Sequence, residues 1–241
     1  PAADRPPSVE VVDLRVNGRY DNPLLGVGDP SPILSWRMEE TSSSSASQRC
    51  RRSGPEVACP ADEQTAYQLQ AANSGSDLRR GNLIWDSGKV DGSVQSGVPY
   101  AGPELSSREA VVWRVRVWDA DGAPSAWSEP SAWEMGLLEQ SDWGDSRWID
   151  YPGRTENQPQ PVFARQFAID RRVARARLYV SGLGLQQATV NGQELTDEVL
   201  APGYSNFQLS AEYRTYDVTD ELVDGSNTVG VQLGNGTAYV R

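Results

Sequence analysis

An all-β fold is the class this sequence predicts: an immunoglobulin- or fibronectin-III-like sandwich followed by an incomplete jelly-roll β-sandwich. Two observations carry the β assignment. Apolar residues recur with a period of two nearly everywhere, and 22 glycines and 16 prolines punctuate the runs at short intervals, as strands joined by turns require. No stretch holds the helical period for more than a turn or two. At 241 residues the chain is long enough for two domains of ordinary size.

The first domain spans residues 1–138. Val9 to Val16 reads as a strand, and a Gly/Pro-rich loop runs on through Gly26 to Pro32. Ile33 to Met38 forms a second strand, after which a polar, serine-rich insertion occupies roughly residues 40–63. Thr65 to Ala71 is a third, with Ala66, Leu69 and Ala71 only roughly in phase, and Leu83 to Gly88 is a short strand entering a turn. The clearest strand is Ala110 to Asp119. Val111, Trp113, Val115 and Val117 share one face, and Val112, Arg114, Arg116 and Trp118 share the other. Asp119-Ala-Asp-Gly122 turns the chain, Trp127 to Pro130 leads on, and Ala132 to Met135 closes the unit. About seven short strands with a Trp on an early one predict the immunoglobulin-like sandwich.

The second domain spans residues 139–241 and starts with a join. Ser141-Asp-Trp143 and Arg147-Trp-Ile149 precede a polar, proline-bearing run, and the sandwich itself starts at Val162. In the strand from Arg175 to Ser181, Ala176, Leu178 and Val180 face the core. Asn191-Gly192 is the strongest hairpin signal, because a type I′ turn needs positive φ at both central positions. Val229, Val231 and Leu233 alternate in a last strand. The count is about six strands, against about eight for a complete jelly roll. The expectation is that the missing strands belong to further polypeptide, separated by cleavage near Arg241 or lying outside this chain.

Composition excludes several function classes. A net charge of −11 argues against nucleic acid or an anionic membrane as partner, since both need a positive face. No apolar run reaches the roughly 18–20 residues of a membrane span. The chain has no histidine, which removes a Ser-His-Asp triad, a Cys-His dyad and a His-ligated zinc from consideration. Its two cysteines, Cys50 and Cys59, sit in the polar insertion and read as a local disulfide pinning a long loop, hence an oxidising, extracellular compartment. Such a short loop gains only about 2–3 kcal/mol from closure. The polar opening from Pro1 to Pro7 suits a mature N-terminus left by a removed leader and an arbitrary boundary equally. Asn235-Gly-Thr237 is a glycosylation sequon.

A family resemblance rests on specific stretches in both domains. In the second these are Ala176-Arg-Leu-Tyr-Val-Ser-Gly-Leu-Gly184, Val190-Asn-Gly192, Leu200-Ala-Pro-Gly-Tyr204, Tyr213-Arg-Thr-Tyr-Asp-Val-Thr219 and Leu233-Gly-Asn-Gly236. In the first they are Leu34-Ser-Trp36, Gln64-Thr-Ala-Tyr-Gln68, Trp85-Asp-Ser-Gly-Lys-Val90 and Glu134-Met-Gly-Leu-Leu138, then Ser141-Asp-Trp143. The chain resembles the N-terminal modules of the α-L-rhamnosidases of glycoside hydrolase family 78. The resemblance implies a secreted enzyme that removes terminal α-L-rhamnose from glycosides or polysaccharides by inversion, using a carboxylic acid and a carboxylate spaced to admit a water. It also implies that those groups sit in a downstream (α/α)₆ barrel, so that this chain holds no catalytic residue and scaffolds the rest. The implied partners are the remaining polypeptide and a rhamnose-containing glycan. Calcium is a further possibility that the resemblance raises and no residue here places.

Within the chain, Asp197-Glu198 and Asp220-Glu221 are acidic pairs beside turn signals, where solvated side chains are the rule. Sugar sites want an aromatic ring for apolar C–H faces and polar groups for vicinal hydroxyls. The loop carrying Asp197, Tyr204 and Asn206 supplies those types and is the candidate carbohydrate contact, set against a plain Pro-Gly turn with Tyr204 packed on the sandwich edge. All eight tryptophans lie before residue 149. Trp113 reads as core, and Trp118 and Trp127 read as packing around the turn from Asp119 to Ser125. The rival reading is a stand-alone carbohydrate-binding or adhesion sandwich without hydrolase activity.

Overall fold

A computed structural model describes residues 9–41, 63–151, 161–203 and 205–234. The chain divides into two compact units, with the break between Gly144 and Asp145. Among the described residues no helix is long and apolar enough to cross a membrane.

The first unit contains β1 (Val9–Val16), β2 (Leu24–Val27), β3 (Ile33–Glu40), β4 (Ala66–Ala72), α1 (Gly75–Arg80), β5 (Trp85–Asp86), β6 (Val90–Asp91), β7 (Val98–Pro99), β8 (Ala110–Trp118) and β9 (Ser131–Met135). One sheet has the order β1-β3-β7 and the other β2-β9-β8-β4-β5, with β6 also pairing β4. Inward side chains of both sheets interdigitate in one core that includes Leu34, Trp36, Leu69, Val111, Trp113, Val115, Val117 and Trp133. The alternation of β8 is as the sequence predicts: its four inward residues are wholly buried.

Pairing with β8 resolves the uncertain phase of β4. Tyr67, Leu69 and Ala71 stand opposite Val117, Val115 and Trp113, whereas Ala66 stands opposite Trp118 on the outer face. A register shift between Val12 and Arg15 explains how β1 buries Val9, Val11 and also Val16, which strict alternation would turn outward. Asp13 lies within it at φ 51°, its carboxylate 2.9 Å from Arg37 Nε.

Two local features depart from the sequence expectation. The Gly/Pro-rich stretch after β1 is not all loop: β2 lies in it and pairs in parallel with β9, Leu24 opposite Trp133 and Leu25 opposite Glu134. After β4 the short helix α1 starts at Ser74, whose Oγ accepts from Asp77 N at 3.1 Å, and stops at Gly81 in the left-handed region at φ 77°.

Residues 139–143 belong with the first unit, although a join was expected to begin there. Leu138 N donates to Ser107 Oγ at 2.8 Å, and that hydroxyl donates to the Asp142 carboxylate, which also accepts from Glu139 N at 2.9 Å. Arg108 Nη2 donates to Asp142 O at 2.7 Å. The Ser107 hydroxyl, foremost, holds the Asp142 carboxyl below its ordinary range.

The second unit contains six strands among the described residues: β10 (Val162–Ile169), β11 (Arg177–Ser181), β12 (Leu185–Val190), β13 (Gln193–Glu194), β14 (Tyr213–Asp217) and β15 (Gly225–Gly234). They form a four-stranded sheet, β10-β15-β12-β13, and a two-stranded sheet, β11-β14. Ala176, Leu178 and Val180 pack as expected against a small core of Ala188, Val190, Tyr216 and Val218. The β12–β13 turn is Asn191-Gly192, at φ 51° and 82°, with Val190 opposite Gln193. Asn191 also ties this turn to β15. Its Oδ1 accepts from Thr228 N at 2.9 Å, and its Nδ2 donates to Glu221 O at 2.8 Å and to Asn227 Oδ1 at 2.9 Å. Asn227, wholly buried, spends its own amide on Val223 O and Gly225 O, so no polar atom there is left unpaired.

Candidate functional site

The loop between β13 and β14 holds the residues whose types suit a sugar. It is fastened at Ala201, buried, whose carbonyl accepts from Gln186 N at 2.8 Å. Glu198 N donates to Thr196 Oγ1 at 3.0 Å, and the Glu198 carboxylate accepts from Arg214 Nε at 3.2 Å. Arg214 also faces Glu212 at 3.7 Å. Asp197 is exposed beside this ion pair. Asn206 is exposed too, but its Oδ1 accepts from Gln208 N at 3.1 Å, and its carbonyl accepts from Leu209 N and Ser210 N. Its oxygen therefore caps the turn that follows. Asp197 and Asn206 share no hydrogen bond among the described residues. Tyr204, the expected stacking ring, lies outside the described residues.

The loop also presents aliphatic side chains: Val199, Leu200 and Leu209 are 84%, 72% and 83% exposed. Leu200 stands at φ 59°, a conformation that costs a non-glycine residue about 1–2 kcal/mol. Of the two acidic pairs, Glu198 is committed to Arg214, and Glu221 contributes its backbone carbonyl to Asn191. Among the described residues no group of three or more His, Cys, Asp and Glu side chains is arranged to hold a metal. Cys50, Cys59 and Asn235 lie outside the described residues.

The tryptophans divide by environment. Trp113 and Trp133 are wholly buried, and Trp36 donates its Nε1–H to Gln64 Oε1 at 3.0 Å. Gln64, itself buried, donates in turn to Gly92 O at 3.1 Å and Val94 O at 2.8 Å. Trp148 is exposed.

The sequence reading missed a cation–aromatic ladder on the outer face of β4 and β8. After the Asp119 turn the chain returns alongside β8: Ser125 N and Ser128 N donate to Val117 O and Val115 O, while their hydroxyls accept from Val117 N and Val115 N. That docking sets the Trp127 ring 4.5 Å from the Arg114 guanidinium and 4.7 Å from that of Arg116. Arg116 lies 4.9 Å from the Trp118 ring, which Lys89 Nζ approaches at 5.0 Å. Each arginine is aimed by a glutamine on β4. Arg114 donates twice to Gln70 Oε1 and Arg116 twice to Gln68 Oε1, and the glutamine amides donate to the two Asp86 oxygens at 2.8 and 2.7 Å. The cations lie over the ring faces, which ties both rings into the packing of their own domain. The signal was present in the arginines alternating with Trp118, and in two serines three residues apart around Trp127.

Comparison with known proteins gives these two units relatives. Residues 56–139 match the family model of the Rha78A-like, N-terminal immunoglobulin domain, and residues 171–241 match that of the alpha-L-rhamnosidase N-terminal domain. An alpha-L-rhamnosidase of Formosa agariphila is 33% identical over 236 residues, which is 94% of this chain and 23% of that protein. One of Alteromonas sp. is 33% identical over 232 residues, 92% of this chain and 23% of that protein. The solved alpha-L-rhamnosidase of Dictyoglumus thermophilum is similar with a TM-score of 0.78 at 30% identity, over 94% of this chain and 25% of that one. That of Aspergillus terreus gives 0.73 at 29%, over 94% of this chain and 24% of that one. The chain spans about a quarter of the length of the relatives it matches.

Proposed function

We propose, for a chain that belongs to the N-terminal region of the α-L-rhamnosidase family, that the whole protein is an inverting α-L-rhamnosidase. In this reading it is secreted and acts on terminal α-L-rhamnose of glycosides or polysaccharides, and this chain is its non-catalytic, scaffolding part. The observation that carries the reading is the pair of family-model matches in the order and spacing of the two units. Glu198, a member of one of the two acidic pairs, is tied to Arg214 in an ion pair. The remaining polypeptide of the same enzyme is its principal partner. Secretion accords with a Cys50–Cys59 disulfide, which alkylation with and without reduction reads as a mass difference.

Hydrolysis of an aryl α-L-rhamnoside tests the function. The full-length polypeptide is expected to release β-L-rhamnose as first product, seen by proton NMR, and this chain by itself to release none. Absence of hydrolysis by the full-length protein overturns the reading, and so does turnover by this chain alone.

A finer reading gives the loop of Asp197, Tyr204 and Asn206 a contact with rhamnose, with or without calcium. It rests on residue types alone, because Asp197 stands exposed beside the Glu198–Arg214 ion pair and Asn206 uses its oxygen within the loop. Isothermal titration of rhamnose into the full-length protein and its Asp197→Ala variant decides it. Heat that is lost in the variant supports the contact; unchanged heat removes it. Sugar binding with no hydrolysis in the full-length protein favours the stand-alone binding or adhesion module.

A further inference from the structure

The same tripeptide, Val-Asn-Gly, makes a turn in each unit: Val16-Asn-Gly18 at the end of β1 and Val190-Asn-Gly192 at the end of β12. The two backbones agree closely. Asn17 and Gly18 stand at φ 50° and 76°, Asn191 and Gly192 at 51° and 82°. Each asparagine also grips the residue opposite it in the same way. Asn17 N donates to Ile33 O at 2.8 Å, and its Oδ1 accepts from Ile33 N at 2.8 Å. Asn191 N donates to Thr228 O at 2.8 Å, and its Oδ1 accepts from Thr228 N at 2.9 Å. The pair differs at the other atom of the amide. Asn191 Nδ2 is held by two acceptors, Glu221 O at 2.8 Å and Asn227 Oδ1 at 2.9 Å. Asn17 Nδ2 makes no hydrogen bond among the described residues.

We infer that Asn17 is a site of spontaneous deamidation in the folded protein, and that Asn191 is locked against the same reaction by Glu221 and Asn227. Asparagine before glycine is open to this chemistry because glycine sets no side chain beside its own amide nitrogen. That nitrogen attacks the asparagine Cγ and gives up its proton. A C–N bond forms, the Cγ–Nδ2 bond breaks, and Nδ2 leaves with the proton as ammonia. Water then opens the succinimide at either carbonyl, leaving aspartate or isoaspartate. In both turns Cγ must first leave the contact that its Oδ1 makes, but Asn191 must break two Nδ2 bonds as well. The products differ too. At position 191 a carboxylate oxygen in place of Nδ2 would face Glu221 O and Asn227 Oδ1 with no proton to share. Asn227 cannot turn its amide to help, since its Nδ2 donates to Val223 O and Gly225 O and its Oδ1 accepts from Val223 N. At position 17 the new carboxylate meets no such acceptor, and its oxygen still accepts from Ile33 N. Isoaspartate there adds a carbon to the main chain beside Val16 and loosens that end of the β1–β3 ladder.

Ageing of the wild-type full-length polypeptide in mildly alkaline buffer, followed by peptide mapping in a mass spectrometer, tests the inference without mutation. Replacement of NH by O is read at each asparagine, and fragmentation separates isoaspartate from aspartate. Asn17 is expected to convert at least about tenfold faster than Asn191, the factor that two hydrogen bonds supply. In denaturing urea the two should convert alike, because the tripeptide is common to both. Equal rates in the folded protein, or faster conversion of Asn191, overturn the inference. A folded protein in which neither converts, while both convert in urea, overturns it too. Asn235-Gly236 is a further such pair and is scored on its own peptide. In the same protein Asn17→Asp is expected to leave the unfolding temperature unchanged and Asn191→Asp to lower it; equal shifts remove the lock.

Discussion

The Arg114 guanidinium stacks 4.5 Å from the centre of the Trp127 indole, two residues along from Arg116, which stands 4.7 Å from the same ring. Two cations of like sign can lie this close because each is hydrogen-bonded to a glutamine and both glutamines are backed by Asp86. Burial works against ionisation of Asp86, yet Gln68, Gln70, the Gly88 amide and Arg116 outweigh it and hold the carboxyl below its ordinary range.

Trp127→Ala removes the ring that both arginines cover and is expected to destabilise the first unit by about 2–3 kcal/mol. Arg116→Lys is expected to cost part of this, since an ammonium cannot reproduce the two donors aimed at Gln68 Oε1. Urea unfolding followed by far-UV circular dichroism measures both. A shift below about 0.5 kcal/mol for Trp127→Ala, the range of ordinary surface changes, would show the ladder to be ornamental.

Gln64→Leu strands three polar atoms at once: Trp36 Nε1, Gly92 O and Val94 O. An expected loss of about 2–4 kcal/mol follows from leaving buried partners unpaired. Gln64→Glu keeps the acceptor for Trp36 and sets a carboxylate against two carbonyls, so it should not rescue. Rescue by Glu would move the importance from the amide donors to the indole bond.

Asp217 sets an acid limb in the second unit. Burial opposes its ionisation, but the Thr219 hydroxyl and amide and the Arg177 guanidinium, 2.8 Å away, prevail and lower its pKa below the ordinary 3.8. Both folded and unfolded forms are ionised above that value, so the contribution is complete there and is lost as pH falls through the lower folded value. Asp217→Asn should flatten the decline in unfolding temperature below about pH 4. A variant with an unchanged acid limb sinks the assignment.

Tyr100 sets an alkaline limb in the first unit. Burial, and then Glu109, push its phenol up to about 12. The neutral phenol is favoured in the fold, so its contribution is present below the ordinary value of 10.0 and disappears as pH rises toward 12. Among the described residues its hydroxyl has no hydrogen-bond partner, and its ring packs edge-on against Trp85 and Trp133. Tyr100→Phe is therefore expected to hold or raise stability at pH 7 and to reduce the slope above pH 10, leaving the part due to Tyr216, whose pKa burial also raises. Absorbance titration at 295 nm gives an independent reading of the late-ionising tyrosine.

Strong alternation and strong turns were legible in the sequence, and non-local pairing was not. Val111, Trp113, Val115 and Val117 announced their face, and Asn191-Gly192 announced its turn, because each pattern is complete within a few residues. β2 was read as loop because Leu24-Leu-Gly-Val27 is too short to show a period, and its partner β9 lies on the far side of the unit's sequence. Ala66 was grouped with Leu69 until pairing with β8 put Trp118 opposite it. The helix α1 had its cap signals in Ser74 and Gly81, but six residues are too few for a helical stripe. The candidate sugar loop was chosen by residue type, and types do not reveal that Asn206 Oδ1 is spent on Gln208. The arginine–tryptophan ladder depends on a segment without regular strand assignment docking beside β8, which no local pattern encodes.

The parallel pairing of β2 with β9 has a consequence for how the chain comes into being. Leu24 leaves the ribosome long before Trp133, its partner, has been made. At about 5–20 residues per second the delay is roughly 5–20 s. Through that interval β2 has nothing to pair with, and β8, made near its end, still lacks β9 as a neighbour, so the nascent domain must wait for its last strand before it can close. Synthesis order, and not only final stability, thus shapes this domain: whatever polypeptide follows Met135 emerges beside a sandwich that has only just shut.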